Sequence, residues 1–387
     1  MDANLFNFLQ YLLTAYEISS KKHQWGISLW LVEKERLCGS AEISSEITHL
    51  SVNPRAPSHF SVSGPGYFGI WEYDIVEKVF EEKQEINQNL SYVAKEDIVG
   101  HCWVRDSAIL VVVVYPNILY IYDHYELIGI YMYEIIDNLS DKHEKNLEVE
   151  ARLVNVNEAD RDQLKNSLTA EHHKFGISTI ESTARGFVVG VRNVGMISIF
   201  ELGINFHFEC SRPNCALRLN IEKDTQKPTH LGSFRLKEEN VIRIHSISTS
   251  LDDMYLAIAV LSGLRASFAA TEISNSQLAS KLDSEKFEFN KIDLYIFNKA
   301  VVDAVKTMHK DPFEPLFEKG VHTGSICSIN MCPSKTMIAS LGEDHNVKFW
   351  EFGHENRGLH SAYYHETPNC IALHPHSFQL AIGFRDA

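Results

Sequence analysis

No stretch of this sequence reaches the ~18 uninterrupted apolar residues that a membrane-spanning helix needs. The most apolar run, Ala108 to Tyr115, has the length of a strand. A secretory leader is not expected either: MDANLFNFLQYLLTAYE carries Asp2 where a leader wants positive charge, and Asn7 and Gln10 break its apolar residues. Positive charge is scarce, with 36 Lys and Arg against 51 Asp and Glu and a formal net charge of -15. No basic run stands out, which argues against a surface that tracks phosphates. Cysteine is scarce and odd in number. The seven (Cys38, Cys102, Cys210, Cys215, Cys327, Cys332 and Cys370) are scattered, which suits a reducing compartment better than a disulfide framework. A soluble intracellular protein is therefore expected, with neither nucleic acid nor membrane among its partners.

Catalytic signatures are absent as well. There is no G-x-S-x-G elbow, no H-E-x-x-H, no P-loop and no Gly-rich dinucleotide turn. The acidic pair Asp252-Asp253 falls in an expected turn, where solvated carboxylates are ordinary. Cys210 with Cys215, and Cys327 with Cys332, share a spacing that raises zinc. The second pair lies on one expected strand at odd separation, so its side chains should point to opposite faces. His354, His360, His365, His374 and His376 fall on turns and outer-strand positions without a shared face. No catalytic residue, cofactor or metal is expected.

What the sequence does have is strand patterning, on a composition (44% hydrophobic, 22% charged) ordinary for a globular chain. The most informative stretch is His322 to Phe352, HTGSICSINMCPSKTMIASLGEDHNVKFWEF. Residues 325–329 alternate as one strand, Pro333-Ser334-Lys335 turn the chain, and Met337 begins a second. Residues 343–346 make a tight turn of types that tolerate positive φ, and Val347 to Phe352 returns as a third strand.

The third-strand pattern, an aliphatic or aromatic residue, an aromatic, then usually an acid or amide, recurs along the chain. Its central aromatics are Trp30, Trp71, Tyr122, Phe200, Phe297 and Trp350. The first two intervals lie near the ~40–45 residue period of propeller repeats, and the later ones exceed it. The excess falls in two polar stretches, Asp137–Lys174 and Ser262–Asn290, expected as loosely packed loop insertions, with a docking segment for a partner as the alternative reading. Residues 127–133, 206–210 and 359–364 are candidate fourth strands. After Trp350 a new unit opens at Asn369 and stops at Ala387, before a third strand. At the other end Phe8–Tyr16 reads as a second strand lacking its first, while Leu5–Leu13 reads equally as a short amphipathic helix. The fold class expected is all-β, built of four-stranded antiparallel propeller blades, incomplete at both ends. The chain is expected to be a fragment of a longer protein.

The His322–Phe352 unit resembles a WD40 repeat. That resemblance implies a buried hydrogen-bonded row of His322, Ser340, Asp344 and Trp350 with a structural role. A Ser, a His and an Asp also invite a hydrolase reading, but a nucleophilic serine needs exposure beside an oxyanion hole, whereas Ser340 would sit inside a strand. In order, HCWVRDSAILVVVVYPNILYIYD, a charged insertion, RGFVVGVRNVGMISIFELG, the His322 unit and NCIALHPHSFQLAIGFRDA resemble the N-terminal propeller region of the cilia- and flagella-associated WD-repeat proteins. His101-Cys102-Trp103 and Leu373-His374-Pro375 are the most telling pieces. The resemblance implies an axonemal, cytoskeletal scaffold whose propellers precede a coiled coil. It also implies partners among inner dynein arm or regulatory complex subunits. This sequence departs from that pattern in lacking the coiled coil and outer blades, and a position across the junction of two tandem propellers is one reading of it. Two other readings stand beside it: a WD40 adaptor elsewhere in the cytoplasm, such as a ligase substrate receptor or transport subunit, and, from a different class, a propeller-based hydrolase using a central-channel metal.

Overall fold

The computed structural model describes residues 2–5, 11–19, 24–91, 93, 96–105, 107–136, 150–157, 175–184, 186–192, 195–202, 207–209, 218–220, 228–235, 241–250, 255–262, 292–295, 322, 326–332, 335–352, 357–374 and 379–384. Small antiparallel sheets succeed one another along the chain. Blade 1 contains β1 (Asp2–Leu5), β2 (Tyr11–Ser19), β3 (Gln24–Leu31) and β4 (Arg36–Ile43), and blade 2 contains β5 (His49–Val52), β6 (His59–Gly64), β7 (Tyr67–Asp74) and β8 (Val79–Glu82). A six-residue helix, α1 (Gln84–Asn89), leads into blade 3, formed by β9 (Ile98–Trp103), β10 (Ile109–Val114), β11 (Ile118–Asp123), β12 (Glu126–Ile136) and β13 (Glu150–Asn155). Blade 4 contains β14 (Ile177–Ser182), β15 (Gly186–Val191), β16 (Met196–Leu202) and, after a separate ribbon of β17 (His207–Glu209) and β18 (Arg218–Asn220), β19 (Pro228–Arg235). Blade 5 shows β20 (Val241–Thr249), β21 (Leu256–Ser262) and β22 (Ile292–Tyr295). Blade 6 contains β23 (Ile326–Met331), β24 (Met337–Gly342), β25 (Asn346–Glu351) and β26 (Arg357–Tyr363). Blade 7 shows β27 (Pro368–Leu373) and β28 (Leu380–Phe384).

Each blade's first strand lies against the first strands of its neighbours, and β27 lies against β1. The seven first strands thus close one ring, a β-propeller. Six apolar clusters fill six of the seven interfaces between successive blades. This explains the second strands: β10, β15 and β24 are buried at every position, because each has a blade on either face. A strand covered on both sides loses the alternation of a half-solvated sheet and reads as a continuous apolar run, as ILVVVV does in β10.

Several expectations need correction. β1 supplies the first strand that Phe8–Tyr16 was expected to lack, and β2 begins at Tyr11, so the helix alternative fails where the chain is described. One closed ring leaves no junction between two propellers among the described residues. Within the insertion 137–174, residues 150–155 form β13, which pairs with β12 and buries Ala151. Alternate residues there (Ala151, Leu153) face the apolar cluster between blades 3 and 4, which is why a charged stretch still forms a fifth strand. Val156 of the same insertion is buried in the cluster between blades 2 and 3, while residues 137–149, 158–174 and 263–290 lie outside the described residues. Residues 207–209 pair with β18, while the fourth strand of blade 4 is β19.

Candidate functional site

Blade 6 brings four separated residues into one row. The β24–β25 turn carries Asp344, β24 carries Ser340, β25 carries Trp350, and His322 precedes β23. Trp350 Nε1 donates to Ser340 Oγ at 2.9 Å, Ser340 Oγ is 2.8 Å from His322 Nε2, and His322 Nδ1 is 2.9 Å from Asp344 Oδ1. One proton assignment satisfies every member: the indole N–H donates to the hydroxyl, the hydroxyl to Nε2, and Nδ1–H to the carboxylate. Asp344 Oδ1 also accepts the Asn346 N–H at 3.2 Å, which ties the row to the turn, where His345 has φ 61°. A Cβ at Gly342 would fall on the His322 ring and the Asp344 carboxylate, so only glycine leaves room for the pair.

The chemistry of this row follows from its burial. The His322 and Asp344 side chains are 0% and 7% exposed, and Ser340 is 0% exposed. No substrate carbonyl reaches a hydroxyl enclosed within a strand and already accepting an indole N–H. The Ser–His–Asp order is that of a hydrolase triad, but the surroundings are those of a core.

The other blades vary this arrangement in a regular way. In blade 6, Ser340 stands two residues after Ile338, the partner of Trp350. In blade 1 the same offset from Leu12, the partner of Trp30, gives Thr14, whose hydroxyl accepts Trp30 Nε1 at 3.2 Å. In blades 2, 3 and 4 the position holds Val62, Val112 and Val189. There Trp71 Nε1 donates instead to Tyr67 Oη at 2.9 Å, and the aromatics of blades 3 and 4 are Tyr122 and Phe200, which need no acceptor at that place. Phe297 lies outside the described residues, as do Cys210, Cys215, His354 and His376.

Further polar links that sequence reading missed tie blades together. Tyr133 of blade 3 is 2.8 Å from Ser198 of blade 4, and the row continues through Ser233 to His230. Arg105, after β9, donates to the Ser250 carbonyl at 2.6 Å and to Thr249 at the end of β20, while Thr249 Oγ1 donates to the Ser182 carbonyl at 2.9 Å. One guanidinium thus fastens blades 3, 4 and 5 at the rim where first strands end. His101 sits buried with Nδ1 3.0 Å from Ser63 Oγ, edge-on to Phe68, and Nε2 has no hydrogen-bond partner among the described residues. Burial, and after it the neighbouring His49, pushes the His101 pKa down to about 3. The partners that join one blade to another lie 38 to 145 residues apart, so no local pattern announces them.

The Cys327–Cys332 expectation is also corrected. The register shifts between Ile326 and Ser328, and this bulge reverses the parity of the strand, so both cysteines join the cluster between blades 6 and 7. Neither is in a disulfide. Among the described residues no three His, Cys, Asp or Glu are gathered as metal ligands would be, and no helix is long and apolar enough to cross a membrane.

No family model matches the sequence. A 65-residue stretch is 35% identical to cilia- and flagella-associated protein 57 C of Tetrahymena thermophila, covering 17% of this chain and 5% of that protein. Among solved structures, the chain is similar to the β-propeller domain of Cps50 (Swd1) from Myceliophteria thermophila (12% identity, TM-score 0.54, all of this chain and 93% of that one). It is likewise similar to U3-55K (9% identity, TM-score 0.55, 99% and 87% of the two chains) and to the WD40 repeats of RRP9 (9%, 0.54, 99% and 86%). At such identities the likeness concerns fold alone, and the fold is the WD40 β-propeller.

Proposed function

We propose that this chain is a non-enzymatic, protein-binding scaffold of the motile cilium, seated on the axoneme and serving the anchoring and regulation of inner dynein arms. The scaffold part rests on the propeller, a rigid ring that offers variable turns over a large surface. Its Ser–His–Asp row is spent on holding a turn. The ciliary part is carried by one observation, the 35% identity over 65 residues to a cilia- and flagella-associated protein, against 9–12% identity to the three solved propellers named above. That stretch is 5% of the ciliary protein, so dynein-arm partners are an extension of the reading to this chain.

Affinity purification of the tagged chain from a detergent extract of cilia tests the proposal. Inner dynein arm or regulatory subunits should be enriched over a tagged control propeller. Enrichment of a complex from another compartment instead would move the chain to the general WD40 adaptors.

A further inference from the structure

Among the arginines whose side chains are described, all but one are partnered or out in water. Arg152 and Arg357 pair with Glu134 and Glu351, Arg105 grips backbone carbonyls, and Arg36 and Arg55 are exposed. Arg192, at the end of β15, is half-buried, and its guanidinium has neither an ion pair nor a hydrogen bond among the described residues. Its Nε is enclosed without a hydrogen-bond partner, whereas the two Nη nitrogens, equally unbonded, are not enclosed. A cation drawn partly out of water with no counter-charge is unfavourable as it stands, and this one presents an open end-on fork.

The fork is held in place by two neighbouring blades. Arg192 and Tyr115 occupy the same position in blades 4 and 3, three residues after Val189 and Val112, where the second strand turns toward the third. The guanidinium carbon lies over the Tyr115 ring, 5.8 Å from its centre. Stacking on an aromatic face leaves the N–H groups in the guanidinium plane unused. Asn117 ties the two turns together. Its Oδ1 accepts the Ile177 N–H at 2.9 Å, its Nδ2 donates to the Phe175 carbonyl at 3.5 Å, and its own carbonyl accepts the Tyr133 N–H at 3.0 Å. The Arg192 N–H in turn donates to the Gly176 carbonyl at 2.9 Å. A Cβ at Gly176 would stand 3.2 Å from the Pro116 carbonyl and 3.9 Å from Arg192 Nε, so glycine lets the three segments meet this closely.

We infer that Arg192, backed by Tyr115, is an anion-recognition site that takes a side-chain carboxylate or a phosphate monoester from a segment of a partner protein. Both groups offer two oxygens at the spacing of the Nη pair, and either supplies the missing counter-charge. Because ring and turn already hold the guanidinium, little side-chain freedom remains to be lost on binding. A nucleic-acid backbone fits less well, since it calls for a row of cations and this chain has a net charge of -15. The same net charge disfavours acidic segments over the surface at large, which makes one stacked arginine selective. The inference rests on the scaffold reading only in taking a protein as the partner.

The probes are three peptides of one neutral sequence that carry three glutamates, three phosphoserines or three glutamines. Each is added to the 387-residue chain at millimolar concentration, and phenylglyoxal modification of Arg192 is followed by mass spectrometry, with the exposed Arg55 of blade 2 as the internal control. The glutamate or phosphoserine peptide should slow modification of Arg192 several-fold and leave Arg55 unchanged, and the better protector identifies the preferred anion. The glutamine peptide should protect neither. Arg192→Gln should melt close to wild type, as no side-chain hydrogen bond is lost, and should bind the anionic peptide roughly fivefold more weakly. Should this variant melt early, the modification experiment on the unaltered chain decides alone. Four results overturn the inference: equal protection of Arg192 and Arg55, protection by the glutamine peptide, an Arg192 that resists modification without any peptide, or stronger protection by a single-stranded oligonucleotide than by either anionic peptide. None of these depends on where in the cell the protein resides, so failure here leaves the ciliary proposal untouched.

Discussion

Removing the Asp344 carboxylate should unfold blade 6 early without touching any exposed surface. Asp344→Ala leaves the His322 Nδ1–H, on a side chain 0% exposed, facing a void, and deprives the Asn346 N–H of its acceptor in the β24–β25 turn. A buried donor stripped of its acceptor costs about 1–3 kcal/mol. For a chain of this size each kcal/mol lowers Tm by roughly 1 °C, so a fall of roughly 1–4 °C is expected. The row also predicts coupling. Ser340→Ala breaks the same chain at its centre, so the double variant should be less destabilised than the two single changes added, by roughly 0.5–3 kcal/mol. Scanning calorimetry of the four proteins, with far-UV circular dichroism to show that the fold persists, measures both quantities. An Asp344→Ala protein that melts with wild type, or strict additivity, would refute the idea that the four residues act as one buried row. If Asp344→Ala keeps its stability but loses a partner, the residue belongs to a binding site instead.

Three other expectations follow from the same geometry. Gly342→Ala should destabilise about as much as Asp344→Ala, roughly 1–3 kcal/mol, because the new methyl displaces the His322–Asp344 pair, and the test is whether the Asp344→Ala penalty vanishes in its background. Arg105→Ala should cost about 1.5–3 kcal/mol by releasing the Ser250 and Thr249 contacts, and Arg105→Lys should recover only part, since one ammonium cannot serve both as the fork does; urea melts of the two decide it. His101 should make the protein acid-sensitive. Its folded pKa, about 3, lies below the unfolded value of 6.5, so between these the unfolded chain binds the extra proton. Stability contributed by the neutral ring is whole above about pH 6.5 and falls as pH drops toward 3, by at most ~1.4 kcal/mol per unit. His101→Gln should flatten that slope relative to wild type, and parallel slopes would show that other groups carry the acid response.

The sequence made the blade repeat legible because a third strand needs an aromatic to fill the gap to the preceding blade, and that demand recurs in Trp30, Trp71, Tyr122, Phe200 and Trp350 whatever the loops between them do. It made the His322 row legible because its four members fall within one repeat. What escaped were effects between repeats. β1 was missed because Asp2–Leu5 is short and polar, and only its place between β27 and β5 identifies it as a first strand. β13 was hidden in charge because its exposed face is polar, as Glu134–Arg152 pairing on that ladder illustrates. The face taken by Cys327 was misjudged because a bulge adds one residue without changing composition. The Arg105 link depends on which blades adjoin, and no single repeat encodes that.

Retention on the axoneme tests the proposed role most directly. The tagged chain would be expressed in a ciliated cell and the ciliary membrane stripped with detergent. The account predicts that the tag stays on the microtubule skeleton along the cilium, and that Asp344→Ala, expressed at low temperature where it remains folded, stays with it. Release into the detergent fraction, or absence from the cilium while the protein is folded, would contradict the account.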